Sequence, residues 1–269
     1  APGGSAAVGL ESRLARALGL ARREDRPFGV AVRTYFRTPR HDDPWMESHL
    51  ELWDGKPRES NLLPGYGWIF SLGDGTANVG LGSVSSTPAR QSAANVDYKD
   101  LFATWMRNAP AEWEFTEENR LAPVRGAALP MGFNRTPLYT RGVLLVGDSG
   151  GMVSPFNGEG IAYAMQAGRA AADVVAQSRA RLTDGGRERA LQTYPRLMRR
   201  ELGGYYTLGR YFVKLIEHPE IMRICTRYGL PRPVVMRFVL KLLSDCYEPR
   251  GGDWVDRVIA GLTRVVPSS

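Results

Sequence analysis

The sequence predicts an α+β chain, and three stretches carry that prediction. Residues 28–135 hold short alternating apolar runs separated by turn residues, the pattern of an antiparallel sheet. Val143–Val146 is a continuous apolar run that leads into a glycine-rich loop and an alanine-rich segment, the pattern of a buried strand feeding a helix. From Asp184 onward the apolar spacing is helical, interrupted at Pro219, at Pro231-Arg232-Pro233 and at Pro249-Arg250-Gly251-Gly252.

Taken in order, the glycine-rich start Ala1–Leu10 predicts a loop, and Ser12–Leu20 a short helix. Gly29–Arg37 reads as a strand with Val30, Val32, Thr34 and Phe36 on one face, and Ser48–Trp53 as a second alternating run. Tyr66–Leu72 and Thr76–Val84 flank Gly73-Asp74-Gly75, which predicts a hairpin. Asp97–Asn108 reads as a helix with Leu101, Phe102, Trp105 and Met106 on its apolar face, and Arg120–Pro130 as a further strand. A helix is expected from about Gly158 to Arg179, with Ala162, Ala164, Ala167 and Gly168 allowing close packing. No internal repeat or low-complexity tract is present.

Composition narrows the function classes. The 269 residues are 43 % hydrophobic and 23 % charged, ordinary for a globular protein, with a net charge of +7. Almost all the positive charge is arginine, since the only lysines are Lys56, Lys99, Lys214 and Lys241. No basic run with interleaved aromatics suggests nucleic acid as a partner. No apolar run or signal peptide suggests a membrane span, and two cysteines without a disulfide framework predict a reducing, cytoplasmic-side compartment. Cys225 and Cys246 lack metal-type spacing and are expected to be buried small apolar residues.

The chemistry sits in Gly147-Asp148-Ser149-Gly150-Gly151 and in Pro155-Phe156-Asn157-Gly158-Glu159-Gly160-Ile161. A flavin needs an acceptor for its ribityl hydroxyls at a strand end, which Asp148 supplies. It needs a loop that lets backbone approach, which Gly150 and Gly151 supply. It also needs a helix N-terminus facing the negative charge of the reduced ring, which the amides of Gly158, Glu159, Gly160 and Ile161 supply after Pro155. A plain strand–loop–helix crossover would explain a lone Gly-Asp; the ordered run beyond it favours flavin. Glu159 in a first helical turn is explained by the helix dipole without a catalytic role.

At these residues the chain resembles the geranylgeranyl reductase family, within the para-hydroxybenzoate hydroxylase-like fold group. That family's motif reads Gly-Asp-Ala-Ala-Gly-x-x-x-Pro-x-x-Gly-Glu-Gly-Ile. Related aromatic hydroxylases usually carry histidine at the position of Gly151, so this departure argues for a reductase. A second likeness supports the first. Archaeal members carry Tyr-x-Trp-x-Phe-Pro, then eight residues, then Gly-x-Gly, lining an isoprenoid pocket. Here Tyr66, Trp68 and Phe70 share one strand face and Gly80 and Gly82 follow at that gap, with Ser71 in place of the proline. By itself an aromatic stripe is more often a core face.

The resemblance covers residues 12–269, with actinobacterial menaquinone reductases the nearest branch. It implies an FAD-dependent oxidoreductase acting on carbon–carbon double bonds of a geranylgeranyl group or a menaquinone side chain. Hydride would come from flavin N5, and electrons from NAD(P)H or a ferredoxin; the catalytic residues stay unassigned. It divides the chain into a remnant of the FAD domain at 1–27, a substrate sheet at 28–135, the flavin-side strand and helix at 136–182 and a helical region at 183–269. Family members open with Gly-x-Gly-x-x-Gly between a strand and a helix. That Rossmann βαβ is absent here, so the chain reads as a truncated form that binds FAD weakly or not at all. Two rivals remain: an aromatic monooxygenase of the same fold, and a non-catalytic lipid- or membrane-binding fragment.

Other features are weaker. Arg40-His41-Asp42-Asp43 with His49 fits no common metal set and reads as a solvated loop. Ser149 and Ser154 lack a nucleophile-elbow context. Tyr205–Ile216 and Val234–Leu243 are apolar helices with Arg210/Lys214 and Arg237/Lys241 four apart, a pattern shared by core helices and by helices that contact a membrane peripherally to receive a lipid.

Overall fold

The computed structural model describes residues 4–6, 15, 17–63, 65–87 and 96–267. Four residues of the expected Ser12–Leu20 helix (12–14 and 16) and most of the expected Ala1–Leu10 loop lie outside them; Ala15 and Ala17 are helical, Leu18 and Gly19 form a turn, and Gly4–Ala6, expected in the loop, is a strand.

The main sheet forms because its strands alternate. Strand β2 (Phe28–Arg37) buries Val32, Thr34 and Phe36 and pairs antiparallel with β7 (Thr76–Ser85) and β8 (Arg125–Pro130). Strand β6 (Gly65–Ser71) pairs with β7 through the expected hairpin, and β3 (Met46–His49) adds an edge, giving the order β3-β6-β7-β2-β8. The hairpin closes with Leu72 N–H on Thr76 O at 3.1 Å, and Asp74 accepts the Thr76 N–H at 3.0 Å.

Two strand boundaries differ from expectation. Ser48–Trp53 is not one strand: β3 ends at His49, and β4 (Leu52–Trp53) pairs instead with β5 (Leu62–Leu63). The strand expected from Arg120 begins only at Arg125, because Pro123 can donate no ladder bond; Arg120 keeps an isolated bridge to Phe36.

One face of this sheet is closed by α1 (Tyr98–Arg107). Asp97 caps it, accepting the N–H groups of Lys99 and Asp100. Leu101 and Phe102 pack with Val32, Phe36, Leu52, Ile69, Val79 and Leu81. Trp105 lies so close to Gly67 that a Cβ there would sit 2.6 Å from its ring.

A second, small sheet carries the glycine-rich loop. Strand β10 (Val143–Leu145) runs parallel to β1 (Gly4–Ala6), as its continuous apolar run predicts, and antiparallel to β9 (Tyr139–Thr140). The β9–β10 connection is the two-residue turn Arg141-Gly142, both at positive φ (48° and 80°). Helix α2 (Ile161–Arg179) follows the loop and buries Tyr163, Ala167, Ala171 and Val174. It starts three residues later than expected because Gly158, Glu159 and Gly160 form its entry turn.

The remaining helices are α3 (Asp184–Leu191), α4 (Thr193–Ile216), α5 (Pro219–Ile224), α6 (Pro233–Leu243) and α7 (Trp254–Val265), with a π turn at Cys225–Gly229. The apolar faces of α3, α4, α6 and α7 join the loop and α2 in one core, from Phe133 and Leu144 through Tyr206 to Ile259. Neither cysteine is in that core. Cys225 opens the exposed π turn and Cys246 follows the end of α6, so both thiols are exposed, against expectation. No described helix is long and apolar enough to cross a membrane.

Candidate functional site

The loop is built on β10. Gly147 packs against α2, where a Cβ would lie 2.9 Å from that of Ala164. Ser149 is fully buried and holds the turn: Val146 N–H donates to its Oγ at 2.9 Å, and the Oγ donates to Val146 O at 2.7 Å. Gly150 is buried behind it. Gly151 has φ 67°, and a Cβ there would lie 2.5 Å from the Asn134 nitrogen. No side chain fits that position, so the histidine usual in aromatic hydroxylases is excluded sterically.

Asp148 stands at the exposed tip of this turn. The surrounding walls still desolvate its carboxyl enough to raise its pKa. Its Oδ1 lies beside Gly160, where a Cβ would sit only 3.4 Å away. The strand-end carboxylate and the start of α2 therefore flank one space.

The second half of the loop closes on itself. Ser154 N–H donates to Glu159 O at 2.8 Å, and Gly158 N–H to Ser154 O at 3.0 Å. Asn157 Oδ1 accepts the Glu159 N–H at 3.0 Å. Glu159 Oε1 accepts the Ala162 N–H at 2.8 Å, so Glu159 caps the first turn of α2. Buried Pro155 seats against α4, where a Cβ on Gly209 would be 2.8 Å from its ring. Ile161 is 77 % exposed and faces out from the head of α2.

Tyrosines of α4 hold this frame, and sequence patterning did not single them out. Tyr194 donates to Leu145 O at 2.8 Å and Tyr206 to Met152 O at 2.9 Å, both ends of the loop. Tyr205 donates to Leu242 O at 2.9 Å on α6. Their only sequence signal is helical periodicity with tyrosine at apolar positions.

The aromatic strand lies on the sheet face opposite α1. Gly67 and Ile69 point to the core, while Tyr66, Trp68 and Phe70 are half-buried on the other side. The stripe is therefore not the main core face. The three rings follow one another at centroid distances of 5.9 Å and 6.1 Å. Directly across β7 stand Gly82, Gly80 and Asn78. Trp68 lies over Gly80, where a Cβ would be 2.3 Å from its ring, and donates its Nε1–H to Asn78 at 2.9 Å. Gly82 is less confined: a Cβ there would lie 3.4 Å from its nearest neighbour, the Val30 carbonyl oxygen. Ser71 donates to Arg40 O at 2.6 Å, a bond that proline could not make.

Wall and loop meet at one contact: Tyr66 donates its hydroxyl hydrogen to Asn157 O at 2.5 Å. Burial, with the charge of Glu159, pushes the Tyr66 pKa up to about 12. A separate cleft of about 570 Å³, lined by His49, Trp53, Trp105, Trp113 and Leu230 among others, opens at the α1 side of the sheet, away from this contact.

The Arg40–His49 segment is an ion-pair cluster. Arg40 bonds Asp43 at 2.8 Å, pairs with Glu47 and stacks on Trp113. His49 Nε2 lies 2.7 Å from Glu47 Oε1, at ion-pair distance but off hydrogen-bond alignment. Among the described residues no group of three or more His, Cys, Asp or Glu could hold a metal.

No family model matches the chain. It is 33 % identical over 264 residues to a menaquinone reductase of Mycobacterium tuberculosis, covering 97 % of this chain and 60 % of that protein. It is 30 % identical over 252 residues to a menaquinone reductase of Mycolicibacterium smegmatis, covering 94 % and 58 %. The chain thus spans about three fifths of the length of these curated relatives. Its fold matches a geranylgeranyl bacteriochlorophyll reductase-like protein of Thermoplasma acidophilum with a TM-score of 0.58 at 20 % identity, over 88 % of this chain and 61 % of that one. The chain is thus similar over nearly all of its own length to part of these menaquinone reductases, and it shares the fold of the geranylgeranyl bacteriochlorophyll reductase-like protein.

Proposed function

We propose that the protein carrying this chain is an FAD-dependent reductase of carbon–carbon double bonds in an isoprenoid chain, either a geranylgeranyl group or a quinone side chain. The Tyr66–Asn157 contact carries the reading, because it fixes an apolar aromatic wall against the glycine-rich loop. When bound, FAD supplies the two-electron redox chemistry.

The chain's own residues then have definite tasks. Asp148 accepts a hydrogen bond from a ribityl hydroxyl. Glu159 holds the first turn of α2 in place, and the amides of Gly160 and Ile161 face negative charge at the helix head. Tyr66, Trp68 and Phe70, with Gly80 and Gly82 opposite, offer a prenyl chain a flat surface and exclude water beside it. The similarity to menaquinone reductases favours a quinone side chain as substrate.

Peripheral membrane contact belongs to the same proposal. Ile224, Val234 and Leu240 are 59 %, 57 % and 54 % exposed on α5 and α6, which suits delivery of a lipid.

The test is an anaerobic assay of the protein with FAD, dithionite and either menaquinone or a geranylgeranyl lipid, read by mass spectrometry. Gain of two hydrogens per bond, lost in Asp148→Ala together with the bound-flavin absorbance, is the expected result. Tight flavin binding with every prenyl substrate left unsaturated would overturn the proposal.

A further inference from the structure

A second polar feature lies beyond the Tyr66 end of the wall. A cavity of about 250 Å³ is lined by Asp25, Arg26, Ser86, Arg210 and Lys214, among others. Ser86, the first residue after β7, lies four residues beyond Gly82, which at the rise of a strand places the cavity about 13 Å past the Tyr66 end of the wall. Val84, Met131, Val153 and Val213 form an apolar plug near it.

The charges here do not balance. Asp25 is engaged by Arg23 through two hydrogen bonds, at 2.8 Å and 2.7 Å. Glu217 is turned to Ser86, whose N–H donates to it at 2.6 Å. Among the described residues, four cations, Arg23, Arg26, Arg210 and Lys214, stand against these two carboxylates. Arg26 is only 8 % exposed, and its Nε, 4.0 Å from Asp25, makes no hydrogen bond among the described residues. Arg210 donates through Nη2 to Thr207 at 2.9 Å, while its buried Nη1 finds no acceptor among the described residues. Burial lowers the Arg210 pKa.

A buried guanidinium donor without an acceptor is costly. Two of them beside one cavity, with a lysine at its rim, are the donor set that oxyanions take up by paired hydrogen bonds. The geometry points to an anion site in which Arg26, Arg210 and Lys214 bind a phosphate or diphosphate group. The ligand would be a phosphate-bearing molecule, either a soluble phosphate ester or a lipid headgroup. The site stands independently of the flavin reading, and its test needs no cofactor.

The test is calorimetric titration of the protein with inorganic phosphate, inorganic diphosphate and soluble dihexanoyl phosphatidic acid, at ionic strength held constant with sodium chloride. The expected result is saturable binding, weakened about tenfold or more in Arg210→Gln. Lys214→Gln, at an exposed rim position, is expected to weaken it several-fold with an unchanged circular dichroism spectrum. Tighter binding of the phosphatidic acid than of phosphate identifies a lipid headgroup site; equal or weaker binding identifies a soluble phosphate site. Absence of saturable binding for all three, or wild-type affinity in a folded Lys214→Gln and Arg210→Gln pair, overturns the proposal.

Discussion

The Tyr66 hydroxyl donates to the carbonyl oxygen of Asn157, 91 residues away in sequence. This bond joins an inner strand of an antiparallel sheet to the entry turn of a helix in another layer. Because burial holds the phenol well above its ordinary pKa, it remains a donor throughout the neutral range.

Tyr66→Phe keeps the ring and removes this bond. We expect a loss of about 1 kcal/mol, a typical net value for one hydrogen bond, measured by urea unfolding. If the contact also sets the spacing of wall and loop, hydrogen exchange at Asn157–Ile161 should quicken in the variant. Exchange identical to wild type would show the loop to be held by its own bonds alone.

Gly80 and Gly82 should behave differently despite sharing a strand and a face. In Gly80→Ala the new methyl would meet the Trp68 ring at 2.3 Å and force it off Asn78. Overpacking of this kind costs about 1–3 kcal/mol, and the tryptophan emission should shift. In Gly82→Ala the nearest atom is 3.4 Å away, so stability should change little while the wall becomes narrower. Equal destabilisation by both would contradict the ring's position over Gly80.

Asp245 follows α6 with φ 53°, and its Oδ2 accepts the Tyr163 hydroxyl at 3.2 Å. Desolvation raises its pKa from 3.8 to about 6, opposed by the Tyr163 bond and assisted by Glu159. The folded state therefore holds this proton more tightly than the unfolded chain. Its contribution is fully present below about pH 4 and is lost as pH rises through about 6, a change of about 2–3 kcal/mol. Asp245→Asn should remove this slope and be the more stable protein at pH 7. Parallel stability–pH curves for the two proteins would refute the assignment.

Helices α6 and α7 are joined by charge. Lys241 Nζ lies 2.6 Å and 2.7 Å from the two Asp256 oxygens and 3.1 Å from Asp253, and Arg237 reaches Asp253 at 2.5 Å. The Asp256 backbone N–H, followed by Lys241 and Arg237, holds the Asp253 pKa down to about 2, and Lys241 lowers that of Asp256. The support is present above the ordinary carboxylate range and lost as pH falls toward 2. Lys241→Met should speed hydrogen exchange across Trp254–Val265. Binding to anionic vesicles should be unaffected by it, because this lysine is already committed to α7.

Much of the fold was legible locally. The Gly73-Asp74-Gly75 hairpin, the α1 cap at Asp97 and the helix breaks at Pro219 and Pro233 each depend on nearby backbone chemistry. The candidate site was legible for the same reason, since Gly147–Ile161 is one continuous motif. Its supports were not. Tyr66, Tyr194 and Tyr206 are bonded to backbone carbonyls far away in sequence, and nothing in their own neighbourhoods marks those partners. The cysteines show the same limit, for a small apolar residue fits a surface turn as readily as a core.

The sequence by itself determined the period of each segment, the places where backbone must turn and the order of groups in the loop, because these follow from local sterics and side-chain chemistry. Only the tertiary structure decided which face of the aromatic strand is open, that Arg237 and Lys241 are paired internally, and that Arg26 and Arg210 share one cavity. Those outcomes depend on which surfaces remain unburied after the layers pack, and that is a property of the whole chain rather than of any window within it.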